Sequence, residues 1–284
     1  MRSHRTLLAL AIAAGLSFPL HAAEPAVPAG AAAGTDDAKT FDPVEVKGQR
    51  DKKASANQNV AVIGAAQIED EQAESMEDLV RYVPGVSIAD MGRFGDNGFN
   101  IRGIDGDRIL TQVDGVEIPN SFFNGPYAKT QRNYVDPEII KRVEILRGPA
   151  SVLYGSNAIG GAVSYFTLDP NDIIKPGQDV GARLKAGYSS ADRSWLKSGT
   201  VAGRSGDFDG LLHLSQRDGH ETESYGDHGG TGLSRTAANP EDTKTTNVLA
   251  KAGWNYNDDD RLAFTYEKYK DRLDINEKSA VGGP

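Results

Sequence analysis

The chain has 284 residues, a formal net charge of -9 and a pI near 5.1, so it lacks the basic excess that a nucleic-acid surface requires. It contains no cysteine, which excludes a disulfide framework, a thiolate metal site and a cysteine nucleophile. Hydrophobic residues make up only 38% and 32 residues are glycine, which is lean for a compact soluble core but suits strands with one polar face. Outside the extreme N-terminus no window of about 18 apolar residues exists, so a helical membrane span is not expected; a β-barrel span stays open, because its signal per strand is weak.

Residues 1–23 have the layout of an export signal. Arg2 and Arg5 give a positive start, Leu7 to Leu16 an apolar run, and His21-Ala22-Ala23 precedes Glu24. The alternative is a short N-terminal helix that stays attached. Residues 24–55 read as a flexible linker, whose first part, 24–41, is Ala, Pro and Gly with too little apolar surface to offset ordering entropy. Within it, Asp42, Pro43, Val44, Glu45, Val46, Lys47 and Gly48 form a short extended segment: Pro43 blocks helix, and Val44 and Val46 share one face. Two readings fit. The segment is either a strand offered to the sheet edge of a partner or the first strand of the next domain.

Residues 56–170 read as one α+β domain. Val60 to Ile63 is a strand. The spacing of Met76, Leu79, Val80 and Val83 predicts a helix over 69–83, ended by Pro84-Gly85. Strands follow at 86–88, 99–103, 108–113 and 116–118, the last two joined by the Asp114-Gly115 hairpin turn. Pro119 to Tyr134, with Phe122, Phe123 and Tyr127, reads as an exposed aromatic loop of the ligand-facing kind. Asp136-Pro137-Glu138 starts a helical turn. Val143 to Arg147 is a strand, punctuated by Gly148-Pro149; Gly160-Gly161 then leads into a strand over 162–166. So many small residues predict backbone packed closely on backbone.

From Val180 the chain changes to alternating strands. Val180, Ala182, Leu184, Ala186 and Tyr188 share a face opposite Arg183 and Lys185. A weaker strand spans 195–204. Phe208, Leu212 and Leu214 oppose Asp209, His213, Ser215 and Arg217. Val248 to Tyr256 and Leu262 to Glu267 repeat the pattern. An apolar face with aromatics near strand ends and a polar opposite face fits a membrane barrel, and a half-buried soluble sheet is the alternative. Short turns at 205–207 and 257–260 alternate with a long polar segment, 219–243, as barrel strands with short turns on one side and long loops on the other would require.

The order of these parts resembles the N-terminal portion of a TonB-dependent outer-membrane receptor. Asp42 to Gly48 looks like its TonB box. Met76-Glu77-Asp78-Leu79-Val80 through Pro84-Gly85-Val86, Asn100-Ile101-Arg102-Gly103, Val113-Asp114-Gly115-Val116, Val143 to Gly148, and Leu153-Tyr154-Gly155 through Gly160-Gly161 look like its plug motifs. Val163-Ser164-Tyr165-Phe166-Thr167 is similar to the plug ending of the haem, haemoglobin, transferrin and lactoferrin branch. The resemblance implies an α+β plug followed by antiparallel transmembrane barrel strands. It implies energy-coupled import of an iron source, with haem or a ferric complex as transported ligand and no permanent cofactor. TonB with its inner-membrane complex, an extracellular iron source and outer-membrane lipid are the implied partners. It further implies that Arg102 and Arg147 latch the plug to barrel-wall glutamates, a network that Glu144, on the polar face beside Arg142, is expected to join.

Residues 24–212 contain no histidine, so a haem ligand within the plug would fall to a residue such as Tyr127. His220 and His228 lie on the expected outer loop. A ferric-siderophore or other nutrient receptor is the alternative within the family, and a non-transporting adhesin or signalling receptor the alternative outside it. No phosphate loop, calcium loop or catalytic triad spacing supports an enzyme or a metal site. About five strands are too few to close a barrel, so the 284 residues alone are not expected to transport anything.

Overall fold

A computed structural model describes residues 59–90, 96–119, 123–124, 128–129, 134–149, 157–222, 225–257 and 260–280. In chain order the elements are β1 (Val60–Gly64), α1 (Ala65–Asp70), α2 (Met76–Val80), β2 (Val86–Asp90), β3 (Asp96–Ile101), β4 (Ile109–Val113), β5 (Val116–Glu117), β6 (Phe123–Asn124), β7 (Ala128–Lys129), β8 (Ile140–Arg147), β9 (Gly161–Thr167) and α3 (Pro170–Ile173), then β10 (Val180–Ser189), β11 (Ser194–Ser205), β12 (Phe208–His220), β13 (Glu241–Asn255) and β14 (Arg261–Ile275). No described helix is long and apolar enough to cross a membrane.

The first unit is built on a five-stranded sheet in the order β1-β8-β9-β4-β5, in which only β4 and β9 run parallel. Its core joins sheet residues Ile63, Ile109, Val143, Ile145, Val163 and Tyr165 to Met76, Leu79 and Val80 of α2. The helix expected over 69–83 is instead two short ones. Gln72 adopts φ +50, which no helix interior tolerates. Ser75 then starts α2 with a capping box: its hydroxyl accepts the Asp78 N–H at 3.2 Å, and Asp78 Oδ2 accepts the Ser75 N–H at 3.0 Å. The apolar spacing was a true core signal, since Met76, Leu79, Val80 and Val83 are all buried; the capping residues decide where helix is allowed.

The Asp114-Gly115 turn has φ +47 and +85, the two positive values a tight two-residue hairpin needs. The glycine pair also behaves as expected. A Cβ on Gly161 would stand 2.5 Å from the carbonyl oxygen of Leu146 in the neighbouring strand, and one on Gly160 would stand 2.5 Å from Ile104 Cγ2.

The second unit is a meander, β10-β11-β12-β13-β14, every neighbour antiparallel. One face carries exposed Val180, Leu184, Trp195, Val201, Leu212 and Phe264. Stacked Phe208 and Trp254 (ring centroids 5.7 Å apart) border it at the lower end, and Tyr188 with Trp195 (4.9 Å) at the other. The strands run further than the sequence pattern indicates: β12 reaches His220, β13 begins at Glu241 and β14 extends to Ile275. The upper parts of β12 and β13 are polar on both faces, so no alternation marks them, and in β14 the apolar residues there, Tyr269, Leu273 and Ile275, lie on the face opposite Leu262, Phe264 and Tyr266. They are held by the backbone ladder and by cross-strand pairs such as Lys244–Asp218 at 3.2 Å and Thr245–Asp271 at 2.9 Å.

Candidate functional site

The two units meet along the inward face of the meander. An apolar patch sits at the centre, where Ile139, Leu168 and Ile174 of the first unit pack on Ala202, Leu211 and Leu249 of the strands. Approach is close: a Cβ on Gly181 of β10 would stand 2.2 Å from the carbonyl oxygen of Ile173. Around this patch the charges are arranged by sign. In the ion pairs that cross the junction the carboxylates come from the first unit and the cations from the strands, while half-buried Glu267 of β14 adds a wall carboxylate beside Lys251, Asp114 and Asp136.

Arg183 of β10 donates to Glu69 Oε1 at 2.8 Å and to the carbonyl oxygen of Glu138 at 3.1 Å. Lys185 reaches Glu138 Oε1 at 2.7 Å, and only 3% of the Glu138 side chain is exposed. Arg217 of β12 lies 3.1 Å from Glu74. Lys251 of β13 donates to Asp169 Oδ1 at 2.8 Å and lies 3.4 Å from Asp114 Oδ2. The turn that places Asp114 also aims its carboxylate back at β9, where it accepts the Thr167 N–H at 2.9 Å and the Thr167 hydroxyl at 2.5 Å. Pairs of this kind position one surface on another; their charges cost desolvation on burial, and removing one partner strands the other.

Two of these carboxylates are perturbed in opposite senses. Asp136 is buried, and burial pushes its carboxyl above the usual range even though the Ser215 hydroxyl and the Glu138 N–H donate to it. Burial also works against ionised Asp169, but the Lys141 and Lys251 ammonium groups outweigh it and hold that carboxyl below the usual range. Lys141 is raised, since burial is more than offset by Asp169.

Residues 52–162 match the model of the TonB-dependent receptor plug domain. The chain belongs to the TonB-dependent receptors. It is 34% identical over 251 residues to a "Hemin receptor" of Yersinia enterocolitica, covering 87% of this chain and 34% of that protein. It is 33% identical over 215 residues to "Hemoglobin-haptoglobin-binding protein A" of Haemophilus influenzae, covering 71% of this chain and 20% of that protein. Among solved structures, the FrpB iron transporter of Neisseria meningitidis superposes with a TM-score of 0.61 at 26% identity, over 75% of this chain and 32% of that one. The chain thus spans about a third or less of the length of the relatives it matches. The first unit is the plug and the meander is barrel wall.

The residues singled out in the sequence fall in different places. Asp42 to Gly48, Phe122 and Tyr127 lie outside the described residues, and of Phe123 only the backbone is described, in the β6–β7 hairpin. Arg102 donates to Asn59 Oδ1 at 3.1 Å. Arg147 donates to the Asn59 carbonyl through its N–H (2.9 Å) and Nε (3.3 Å), and through Nη1 to the Pro84 carbonyl (3.0 Å). Glu144 pairs with Arg142 at 3.0 Å, and the Arg142 guanidinium lies 4.2 Å over the Phe166 ring. These acceptors belong to the plug itself. His220 pairs across the ladder with Asp242 at 2.9 Å, while the carbonyl of His228 accepts the Thr236 and Ala237 N–H groups at 3.1 Å. The plug-to-wall contact rests on residues that sequence reasoning did not single out: Glu69, Glu74, Asp114, Asp136, Glu138 and Asp169 against Arg183, Lys185, Arg217 and Lys251. Inward-facing Arg183, Lys185 and Arg217 carried a weak signal as basic residues on a strand face.

Proposed function

We propose that the receptor carrying this chain imports an iron source, most specifically haem or a haemoprotein, across the outer membrane of a Gram-negative bacterium with energy delivered by TonB. The observation that carries this reading is the match to the hemin and haemoglobin–haptoglobin proteins; the hemin receptor match, at 251 residues and 87% of this chain, is far longer than the plug. In this reading residues 1–23 direct export, 24–55 form the linker, 56–170 the plug and 180–284 the first wall strands. Asp42 to Gly48 pairs with TonB by strand addition. Phe122, Phe123, Tyr127, His220 and His228 are candidates for the ligand-facing surface, and Arg102, Arg147 and Glu144 for a latch released during transport. The family consists of receptors and transporters, not enzymes.

The test is complementation. The full-length gene is placed in an iron-starved host that lacks its own haem receptor. Haem or haemoglobin is expected to restore growth and a siderophore panel is not. Val44→Pro is expected to abolish growth while surface haem binding persists, because proline removes the donor a strand addition needs. Growth on a siderophore but not on haem overturns the proposal.

A further inference from the structure

The inward face of the wall sorts its charges more strictly than a seat for the plug requires. Across β10 to β13, four successive inward rows hold one lysine or arginine each and no carboxylate. Lys251 stands in the row that starts at Gly181, Arg183 and Lys185 start the next two, and Arg217 stands in the row that starts at Gly187. The row below is balanced within the wall: Arg204 is opposite Asp209, which accepts from Arg261 at 2.7 Å. Above the strip, β10, β12 and β13 continue inward with Ser189, Gly219 and Thr243, none of them charged. On β14, Glu267 and Asp271 end the second and fourth rows. They accept from Asn247 at 3.1 Å and Thr245 at 2.9 Å, and so close the cationic strip on that side.

Each of these cations pairs with the plug: Lys251 with Asp169, Arg183 with Glu69, Lys185 with Glu138 and Arg217 with Glu74. Among the described residues, no wall carboxylate lies within ion-pair distance of any of them. A seat can use either polarity at each contact, and mixed signs would fix the register of plug on wall more strictly, since a misplaced like charge repels. A strip of one sign suits something that moves along it. The steps are short: two residues of strand per row, about 7 Å, and roughly 20 Å from the Lys251 row to the Arg217 row. When the plug shifts to let cargo pass, its carboxylates leave with it. The wall then presents bare cations on a low-dielectric face, and such a face draws in and steers anions.

Resting on the transport reading above, we propose that Lys251, Arg183, Lys185 and Arg217 form an anion track. The plug carboxylates occupy it at rest, and the carboxylates of the passing cargo replace them once the plug has shifted. The exchange makes and breaks only ion pairs and leaves the charge of the seam as it was. The cargo it favours is a multiply charged anion, such as a metal complex or macrocycle that carries free carboxylates. A neutral or cationic cargo gains nothing from it.

The test keeps the ion pairs and reverses their polarity in the full-length receptor. Arg183→Glu with Glu69→Arg, and Arg217→Glu with Glu74→Arg, move two cations from the wall to the plug. Both pairs reach water, with the Glu69 and Glu74 side chains 57% and 36% exposed, so the reversal buries no lone charge. Hydrogen exchange at Thr167 and across β8 reports whether the plug stays seated. With haem as probe, surface binding is expected to be unchanged and uptake by TonB-competent cells to fall about tenfold. Haem dimethyl ester, whose propionates are uncharged, is expected to enter through the unsubstituted and reversed receptors alike. Equal haem uptake by the two, or an equal loss of the ester, overturns the track. A second arm needs neither cargo nor a seated plug. The receptor is held in a planar bilayer across a KCl gradient with its plug loosened by urea, and the reversal potential gives the chloride-over-potassium permeability ratio. Reversal of both pairs is expected to lower that ratio roughly threefold, and an unchanged ratio overturns the track. Failure of the unsubstituted receptor to take up haem overturns the haem reading alone, because the permeability ratio still decides the track.

Discussion

Lys251→Met in the full-length receptor isolates one arm of the plug-to-wall contact. The side chain of Lys251 is 12% exposed and its ammonium serves Asp169 at 2.8 Å and Asp114 at 3.4 Å. Methionine keeps the volume and the stem packing, so the change is mainly electrostatic. Removing one partner of a buried ion pair costs about 3–5 kcal/mol. That figure is too large here, because the Asp169 and Asp114 side chains are 43% and 31% exposed and Lys141 still pairs with Asp169. About 2 kcal/mol is the reasonable expectation, equivalent to roughly 30-fold more frequent local opening. Hydrogen exchange at the end of β9 reads it directly, since the Thr167 N–H is donated to Asp114. Exchange there should rise by that factor while β1 stays as protected as before. Adding Asp169→Asn should then cost less than it does alone, because the two residues share one contact. Exchange at Thr167 within twofold of the unsubstituted receptor would mean that the wall cations do not hold the plug.

Gly161→Ala should lower plug protection by about 1–3 kcal/mol, as its methyl meets the rigid Leu146 carbonyl, and exchange across β8 and β9 measures it. Asp169 gives a pH dependence of known sign. Its carboxyl is lowered in the fold, so its contribution is complete above the unfolded value near 3.8 and is lost as pH falls through the lower folded value. Protection at β9 should therefore be flat from neutral pH to about 5 and fall below about 4, less steeply in Lys251→Met. Asp136 has the opposite sign: its raised carboxyl makes ionisation unfavourable in the fold at neutral pH, so Asp136→Asn should leave protection of β8 at pH 7 unchanged or higher. A clear loss there would show that the charge itself is needed.

The sequence revealed the fold well where side-chain period and turn chemistry act locally. The alternation of Val180 to Tyr188 and the Asp114-Gly115 hairpin both stand where expected. The single helix over 69–83 failed because apolar spacing does not register a capping box at Ser75. The upper parts of β12 and β13 lose the contrast between faces, and in β14 the apolar residues switch from Leu262, Phe264 and Tyr266 to Tyr269, Leu273 and Ile275 on the other face, which breaks the pattern. The plug-to-wall contact was the least visible. Lys251 and Asp169 are 82 residues apart and Arg183 and Glu69 are 114 apart, and no local pattern links residues so distant. Asp114 was noticed only as a turn residue, although its carboxylate also ties the end of β9.

The two arginines at 102 and 147 occupy a position with mechanical meaning of its own. Both hold Asn59, the residue immediately before β1, and β1 is an edge strand bonded on one side to β8 alone. The proposed TonB-binding segment lies N-terminal to Asn59, so a pull on it loads the Asn59 contacts before it loads the β1–β8 ladder. The wall holds other places: its cations pair with Glu69 and Glu74 beyond β1, Glu138 before β8 and Asp169 after β9, and the Ser215 hydroxyl donates to Asp136. The plug therefore has two separable attachments, an edge clamp at Asn59 and a seam on the wall. Arg102→Ala with Arg147→Ala should raise exchange across Val60 to Gly64 about tenfold, a modest figure because Arg102 is exposed, Arg147 is only half-buried and the Arg147 N–H bond to the Asn59 carbonyl remains, and leave Thr167 unchanged. Lys251→Met should do the reverse. If the double arginine variant loosens Thr167 as much as Val60 to Gly64, the arginines hold the plug as a whole, and the division into clamp and seam is wrong.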